Sequence, residues 1–323
     1  MISEKILREG LVNTIENTHL PIGELSRGKV RDCYEKGDNL VLVATDRLSA
    51  FDVVLTTIPF KGQVLNKLSD YWFKKTKHII NNHVLSVPDP NAMVVVKCEP
   101  LPIEMVVRAY LTGVTSTSIW TAYERGERIF CGHHLPDGMK KHQRLENPIL
   151  TPSTKAEKGQ HDRSLSKEEI ISSGLVSVED FELMENVATH LFVYGLSLSR
   201  TRGLILVDTK YEFGKTPEGK IVLIDEVHTP DSSRYWYENT YQGAFERGED
   251  PKSFDKEYVR RWLKGELGYV GEGTIPKIPD EVRIEAARRY IMAFEQITNE
   301  EFVPNLENPL ERLERNLASF QDA

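Results

Sequence analysis

Residues 204–236 constrain the fold of this chain more than any other stretch, because they predict two adjacent strands with charged side chains on one face. The first four residues, LILV (204–207), are all apolar, as in a strand that is buried on both faces. Charged residues then occupy alternate positions of the same strand: Asp208, Lys210 and Glu212. The turn sequence PEG (217–219) leads to a second apolar run at 221–227, so the pair predicts a β-hairpin with a loop of about four residues.

The register of this hairpin is expected to bring two carboxylates together. If Thr216 pairs with Ile221 across the turn, counting back along the strands places Glu212 opposite Asp225, on the face that carries the other charges. Two facing carboxylates repel each other unless a cation or a proton lies between them, and Mg²⁺ with nucleotide phosphates is the simplest partner. Lys210 would then hold a phosphate oxygen. The alternative is a solvated strand face with ordinary ion pairs, which periodicity alone favours.

Composition limits the possible partners. A chain of 323 residues suggests two domains or one large domain with insertions. The formal net charge of −8 argues against a nucleic-acid surface and favours a small-molecule site. The cysteines are odd in number and lack metal-ligand spacing, which favours a reducing cytoplasm without disulfides or zinc: Cys33, Cys98 and Cys131. No apolar run approaches the roughly 20 residues that span a bilayer, and no signal peptide is evident, so we expect a cytoplasmic protein without a membrane partner.

A second hairpin is predicted from GKVRDCYE (28–35) and LVLVAT (40–45). Gly28 would allow the backbone to approach phosphates closely, while Lys29 and Arg31 neutralise their charge. This signal is weak alone, because no G-x-x-x-x-G-K-S/T or G-x-G-x-x-G pattern accompanies it. An ordinary exposed strand is the favoured alternative.

Three further polar segments are candidates for a site. The run DRLSAFD (46–52) follows an apolar strand, where sites are often built, but it also fits a polar turn. Arg108 lies in a buried-type strand within IEMVVRAYLTG (103–113) and needs either a carboxylate partner or a bound anion. The run LTPSTKAEKGQHD (150–162) fits a mobile loop over a site, although its composition favours a solvated linker.

The two prolines of EPLP (99–102) predict a break in regular structure and the main domain boundary. This divides the chain into an N-terminal lobe, 1–100, and a C-terminal lobe, 101–323. Amphipathic helices are predicted across the chain at 3–15, 63–80, 255–267, 280–297 and 309–320. A longer helix is expected to start at Ser177 and to lead into the hairpin of residues 204–236, the central hairpin. The last helices form a C-terminal extension, 276–323.

The motifs and their order resemble those of the SAICAR synthetase family of de novo purine synthesis. The resemblance covers about residues 25–236 and includes LPIEMVVRAYLTG (101–113), which is most of one family signature, and LVDTKYEFG (206–214), which is the whole of another. The other matching runs are GKVRD, DRLSAFD, TPSTKAEKGQHD and IDEVHTPDSSRYW.

This resemblance implies an α+β fold of two lobes, with a smaller, mainly antiparallel N-terminal lobe and ATP in the cleft, as in protein kinases and ATP-grasp enzymes. It implies a ligase that uses ATP and Mg²⁺ to join carboxyaminoimidazole ribonucleotide (CAIR) to L-aspartate through an acyl phosphate. The products would be the succinocarboxamide SAICAR, ADP and phosphate. A monomer or small homo-oligomer is expected.

The resemblance also implies residue roles. Metal ligands would be Glu212 and Asp225. The nucleotide would be bound by these two residues and by Gly28, Lys29, Arg31, Lys97 and Lys210, with Lys210 and Asp208 as the catalytic pair. The ribonucleotide would be held by Arg108 and Arg234, and bordered by Asp46, Ser49 and Asp52. Ser118 would bind substrate and, with Lys155, would select aspartate. Lys155, His161 and Asp162 would lie near the aspartate site.

One segment departs from the family pattern. The first signature usually ends in Gly-Ser, but here Gly113 is followed by VTSTS (114–118), which resembles a short insertion. The family serine is then Ser116 or Ser118. We favour Ser118, because a four-residue insertion restores the following residues, 120–123, to their family positions.

Two other functions compete with the ligase. One is an ATP-dependent phosphotransferase that acts on another small molecule, although the H-R-D-x-x-x-x-N and G-x-G-x-x-G motifs of protein kinases are missing from the sequence. The other is a non-catalytic nucleotide-binding module, which would bind ATP without turnover that depends on aspartate.

Overall fold

The structure, a computed structural model, describes residues 2–51, 53–115, 117–155, 163–253 and 257–320. Its strands are β1 (Glu24–Arg27), β2 (Arg31–Lys36), β3 (Asn39–Ala44), β4 (Arg47–Ala50), β5 (Val53–Thr57), β6 (Val84–Asp89), β7 (Ala92–Val96), β8 (Glu99–Tyr110), β9 (Ile129–Phe130), β10 (His133–His134), β11 (Arg144–Leu150), β12 (Ser153–Thr154), β13 (Leu204–Lys215), β14 (Ile221–Ile224) and β15 (Ser233–Tyr237). Its helices are α1 (Glu4–Gly10), α2 (Lys61–Thr76), α3 (Ile119–Glu124), α4 (Lys167–Ser172), α5 (Val178–Arg200), α6 (Glu238–Arg247), α7 (Glu257–Leu267), α8 (Asp280–Thr298) and α9 (Pro309–Asn316). Helices combined with antiparallel sheets confirm the predicted α+β class.

The first sheet has the strand order β1-β2-β3-β7-β6, and all its pairings are antiparallel. The predicted second hairpin is present as β2 and β3, whose register runs from Arg31 opposite Ala44 to Lys36 opposite Asn39. Alternate side chains enter the core, as the two-residue period of a strand requires, and those with almost no exposed surface include Tyr34, Val41 and Val43.

The second sheet has the order β11-β8-β13-β14, and two more strands join it because β12 pairs with β8 and β15 pairs with β13. Strand β13 therefore lies in its interior. The apolar run 204–207 at the start of β13 is buried, as predicted for a strand covered on both faces. Helix α5 packs against β13 and β8.

The register predicted for the central hairpin is wrong by one residue. Lys215 lies opposite Ile221, so Glu212 faces Ile224 instead of Asp225. The reason is the turn: Thr216 N–H donates to Lys220 O at 2.9 Å, which leaves a loop of three residues, and Gly219 closes it with φ +77°. Strand β14 also ends at Ile224, before the predicted end at 227.

Asp225 follows β14 directly and has a left-handed backbone, with φ +68°. Strand alternation therefore does not determine where its side chain points. The expected repulsion of two carboxylates across a ladder does not occur at this position, and any meeting of Asp225 with Glu212 depends on the cavity that both residues line.

The break predicted at the two prolines is also wrong, because β8 begins at Glu99 and includes Pro100 and Pro102. A proline is tolerated near the start of a strand, where its missing N–H removes little of the ladder. Along the chain, however, β7 is the last strand of the first sheet and β8 is the first strand of the second sheet, so the change of sheet lies close to the predicted boundary. The division into two lobes stays a prediction, because one cluster of buried side chains includes residues of both sheets.

The helices agree with the predicted pattern, with shifted ends. Ser177 caps α5 by accepting the Asp180 N–H at 3.1 Å. The first helix ends at Gly10 and not at Ile15. The N–H of Ile15 donates to the side chain of Asp46 instead of to a helix carbonyl. The predicted helix at 309–320 is divided into α9 and a 3₁₀ turn, Ala318–Phe320. Among the described residues, no helix combines the length and the apolar character needed to cross a bilayer.

Helix α9 is attached to the first sheet by a buried ion pair. Arg312 donates to both carboxylate oxygens of Asp89, at 2.9 and 3.2 Å, and to Asn91 Oδ1 at 2.6 Å. Both charged side chains are almost fully buried, with 1% and 0% of their surface exposed. Breaking such a pair leaves an uncompensated charge in the protein interior.

We expect Arg312→Met to lower the free energy of unfolding by about 3–5 kcal/mol, because Asp89 would remain buried without its partner. The matched control on the same helix is Arg315→Met, whose ion pair with Glu307 is exposed and should contribute no more than about 1 kcal/mol. Urea unfolding of both variants measures the difference. Equal losses would contradict a stabilising role for the buried pair.

Candidate active site

A cavity of about 590 Å³ is lined by residues of both sheets. One part of its wall is apolar and comes mainly from β3, β7 and β14: Leu40, Leu42, Val95, Val96 and Ile224. The other part carries charged side chains: Lys29, Arg31, Glu104, Lys155, Lys210, Glu212, Asp225 and Glu226. An apolar wall followed by a charged region is suited to a ligand with an aromatic base and phosphates.

A second cavity, of about 440 Å³, adjoins the first. The walls of this cavity include the following polar residues: Arg108, Thr115, Thr117, Ser118, Asp208 and Arg234. Six residues line both cavities: Lys29, Glu104, Lys210, Asp231, Ser232 and Arg260. Two ligands bound in the two cavities would therefore meet at these shared side chains.

The pairing of β13 with β8 creates the charged face between the cavities. Asp208 lies opposite Arg108, and Glu212 lies opposite Glu104. Alternation along β13 places Lys210 on the same face as Asp208 and Glu212, as predicted, while Tyr211 points into the core and is fully buried.

Lys210 lies between two carboxylates. Its Nζ is 2.6 Å from Glu104 Oε1 and 2.8 Å from Glu212 Oε1, and Lys155 Nζ is 2.5 Å from Glu212 Oε2. Burial opposes the charge on Lys210, but Glu212 and Glu104 outweigh it and raise the pKa of this ammonium above its usual range. Lys210 therefore stays protonated at neutral pH and presents a positive charge to both cavities.

Arg31 contacts the two carboxylates that follow β14. Its guanidinium is 2.5 Å from Asp225 Oδ1 and 3.2 Å from Glu226 Oε1. Burial favours the neutral acid at both positions, but the charge of Arg31 dominates at Asp225 and lowers its pKa, whereas burial raises the pKa of Glu226. Arg31, predicted as a phosphate ligand, is thus held on the acidic side of the cavity.

The predicted metal ligands Glu212 and Asp225 line the same cavity. Within the described ranges, no three His, Cys, Asp or Glu side chains are grouped as a metal site. The two carboxylates each contact cationic side chains of the chain itself, and magnesium would have to compete with these for the same oxygen atoms.

Gly28 and Lys29 line the first cavity, and a buried arginine supports their backbone. Arg47 donates to Gly28 O and Lys29 O, each at 3.1 Å, and to Asp32 Oδ1 at 2.8 Å. Its guanidinium therefore fixes the backbone at Gly28 and Lys29. Arg47 belongs to the DRLSAFD run, but sequence reasoning did not single it out.

Asp46 does not lie in either cavity wall. Its two carboxylate oxygens accept the Ile15 and Gly62 N–H groups at 2.7 and 2.8 Å, and burial raises its pKa to about 6. It lines a separate cavity of about 260 Å³. Its position therefore gives no support to the prediction that it borders the substrate. Ser49, from the same run, does line the first cavity.

Arg108 and Arg234 flank Asp208 in the second cavity. Arg108 Nη1 is 3.7 Å from Asp208 Oδ2, and Arg234 Nε is 3.3 Å from Asp208 Oδ1. The sequence left open whether Arg108 has a carboxylate partner or binds an anion. The structure shows the carboxylate partner, at a separation longer than a close ion pair, in a cavity that also admits a ligand.

Ser118 lies beside this arginine pair. A Cβ added to Gly113 would be 2.3 Å from Ser118 Oγ and 3.1 Å from Arg234 Nη1, so only glycine fits there, and its φ of +108° also favours glycine. Ser118 Oγ accepts the Thr115 N–H at 3.1 Å. This placement supports the choice of Ser118 for the family serine. The alternative, Ser116, lies outside the described residues.

The remaining predicted residues are dispersed. The Lys97 side chain pairs with Glu35, both of them half-exposed, and does not line the cavity, although its neighbours Val96 and Cys98 do. Lys155 forms an ion pair with Glu212, as described above. Three predicted substrate residues lie outside the described residues: Asp52, His161 and Asp162.

Sequence reasoning missed Glu104, Arg47 and Asp231 as site residues. A signal for Glu104 was available, because it lies four residues before Arg108 and therefore on the same face of one strand. Asp231 lies within the matched run IDEVHTPDSSRYW but carries no periodic signal. Arg47 had none, since its partners, backbone carbonyls and the Asp32 carboxylate, are brought to it by the fold.

His83 is a buried, neutral side chain in the wall of the first cavity. Burial, with the nearby charge of Arg31, lowers its pKa to about 3. The unfolded chain would bind a proton at this histidine near pH 6.5, so the folded state loses stability as the pH falls below that value.

We expect His83→Phe to reduce the loss of unfolding free energy between pH 7.5 and pH 5 by about 2 kcal/mol, because the variant has no imidazole to protonate on unfolding. Urea unfolding at the two pH values measures this loss. His190→Phe, at an exposed position of α5, is the control and should leave the loss unchanged. An unaltered pH dependence in His83→Phe would show that the histidine is not kept neutral by burial.

Known proteins resemble this chain over most of its length, and a model of the SAICAR synthetase family matches residues 24–274. A phosphoribosylaminoimidazole-succinocarboxamide synthase of Legionella pneumophila (strain Paris) is 49% identical over 289 residues, which are 90% of this chain and 92% of the relative. A solved SAICAR synthase from Saccharomyces cerevisiae, complexed with SAICAR, has a TM-score of 0.78 at 32% identity and covers 90% of this chain and 100% of its own. A SAICAR synthetase solved with ADP has a TM-score of 0.65 at 25% identity, with coverages of 87% and 100%.

Proposed function

The chain belongs to the SAICAR synthetase family, whose members use ATP to join CAIR to L-aspartate in purine biosynthesis, and we propose that its two adjoining cavities bind the nucleotide and the ribonucleotide of this reaction. The observation that carries the proposal is that both cavities share Lys210 and Glu104. A phosphate bound in one cavity and a carboxylate bound in the other would meet there.

The first cavity is assigned to ATP. Its apolar wall suits the adenine ring, and Lys29 and Lys210 supply positive charge for the phosphates. The ADP complex of a relative supports the use of a nucleotide by the family. Because its pKa is raised, Lys210 contributes a permanent charge that stabilises the phosphate being transferred, and it does not act as a base.

Magnesium is assigned to Glu212 and Asp225. Carboxylate oxygens are the ligands that this hard cation prefers, and the site would leave its remaining positions for phosphate oxygens and water. Both carboxylates line the charged part of the same cavity, which supports the fit, and the ion would displace the cations of the chain that now contact them. When bound, the ion would neutralise charge on the nucleotide phosphates.

The second cavity is assigned to CAIR. Arg108 and Arg234 would hold its phosphate with paired N–H donors, and Ser118 lies close enough to assist. Asp208 would fix both guanidinium groups, and its Oδ2 accepts no hydrogen bond from the described part of the chain, which leaves this buried oxygen as an acceptor for the substrate.

The chemistry needs positioning and charge more than an enzyme nucleophile. A CAIR carboxylate oxygen attacks the γ-phosphorus of ATP, ADP leaves, and an acyl phosphate forms. The amine of L-aspartate then attacks the acyl carbon, phosphate leaves with the carbon–oxygen bond pair, and the amine loses a proton to the surroundings. Lys155, half-exposed at the cavity, stays our candidate for contact with aspartate.

The function is tested by incubating the purified protein with ATP, Mg²⁺ and CAIR, with and without L-aspartate. We expect ADP and the succinocarboxamide in equal amounts, with turnover strictly dependent on both CAIR and L-aspartate. ADP formation without L-aspartate would support a phosphotransferase instead. ATP binding without any turnover would support a nucleotide-binding module.

The metal assignment predicts that Glu212→Gln lowers kcat by about 100-fold or more, because the variant loses one of the two carboxylates that would hold Mg²⁺ beside the phosphates. The fold should survive, since Lys210 keeps Glu104 and Lys155 is half-exposed. Kinetics over a range of Mg²⁺ concentrations and a thermal melt measure both effects.

The control is Glu218→Gln, an exposed residue of the same hairpin turn, which should behave as wild type. Near-normal turnover of Glu212→Gln at low Mg²⁺ would remove Glu212 from the metal site. A large fall in its melting temperature would show that the carboxylate is structural.

A further inference from the structure

Asp231 lines both cavities, and side chains of two helices from distant parts of the chain hold both of its carboxylate oxygens. Lys61 Nζ is 2.8 Å from Oδ2, and the Tyr290 hydroxyl donates to Oδ1 at 2.6 Å. Lys61 opens α2 and has no exposed surface, and Tyr290, on α8, is 4% exposed. With each oxygen bound, the carboxylate has one defined orientation.

The two supporting side chains also contact each other. Lys61 Nζ lies over the Tyr290 ring, 5.4 Å from its centre, and α2 packs against α8. Burying an ammonium and a carboxylate carries a desolvation cost that their attraction has to offset, so a buried pair of this kind is weak evidence for a stabilising role. Its position beside both cavities suggests a purpose other than stability.

Asp231 belongs to a turn that contacts β13, the strand that carries the charged face. The neighbouring Ser232 lines both cavities, and its carbonyl oxygen accepts the backbone N–H of Lys210 at 3.1 Å. Arg234, three residues after Asp231, reaches Asp208. A displacement of Asp231 would therefore move the backbone that adjoins both Lys210 and the arginine pair.

We propose that Lys61 and Tyr290 are positioning residues, which hold Asp231 so that its turn keeps the two cavities aligned for transfer between their ligands. Tyr290 lies outside residues 24–274, the segment that the family model matches, so the C-terminal helix α8 contributes to turnover as well as to packing. The inference rests on the ligase function proposed above.

The test is Tyr290→Phe, which removes one hydroxyl and keeps the ring over Lys61. Loss of a hydrogen bond to a charged group predicts a fall in kcat of about 10-fold, with the KM for ATP within about twofold of wild type. Tyr194→Phe is the matched control, because this half-buried helix residue lines neither cavity and should keep wild-type kinetics. Equal effects of the two substitutions would overturn the proposal.

A double-mutant cycle with Asp231→Asn distinguishes positioning from general destabilisation. If Tyr290 acts through Asp231, adding Tyr290→Phe to Asp231→Asn should lower kcat by less than about twofold. If the two losses multiply, Tyr290 acts by another route and the proposal fails.

Asp231→Asn leaves Lys61 buried without a counter-charge and could fail to fold. Lys61→Met/Asp231→Asn then replaces it as the background, because the charge pair is removed as a unit. Wild-type turnover is the reference throughout. If the wild type shows no turnover dependent on L-aspartate, the ligase assignment fails, whereas normal wild-type turnover with multiplicative losses refutes only the positioning role.

Discussion

The antiparallel pairing of β8 with β13 is the interaction on which the candidate active site depends. It places Arg108 beside Asp208 and Glu104 beside Glu212, and it leaves Lys210 between the carboxylates. A shift of β13 by one residue would send Asp208, Lys210 and Glu212 to the opposite face, into the apolar core and away from Arg108 and Glu104. The buried neighbours of Lys210 prevent such a shift, since Tyr211 and the run 204–207 have to remain inside.

The charges in the two cavities compensate one another before any ligand is present. Arg31 neutralises Asp225, Lys210 and Lys155 neutralise Glu212, and Asp208 holds two guanidinium groups. This is how a chain with net charge −8 can keep a pocket for anionic ligands. Under the proposed function, an incoming phosphate or magnesium ion would take up contacts from side chains that are already held in place.

Much of the fold and part of the site followed from sequence patterns. Alternation predicted the charged face of β13, and apolar periodicity predicted the helices, because both patterns are local. The register of β14 was missed because it depends on whether the turn has three or four residues, which Gly219 decides through its backbone conformation. Glu104 and Arg47 were missed for different reasons: the first had a periodic signal that was not used, and the second acquires its role only from folded neighbours.

The buried pair between Arg312 and Asp89 has a consequence for the order in which the protein is made. Asp89 lies at the end of β6 and leaves the ribosome more than two hundred residues before Arg312. Until then, Asp89 has no guanidinium partner and the first sheet lacks its contact with α9. Domains tend to fold from the N-terminus during synthesis, but this sheet reaches its full stability only when the chain is nearly finished. A nascent or truncated chain that lacks α9 therefore lacks this contribution to the sheet whose strands β3 and β7 line the first cavity.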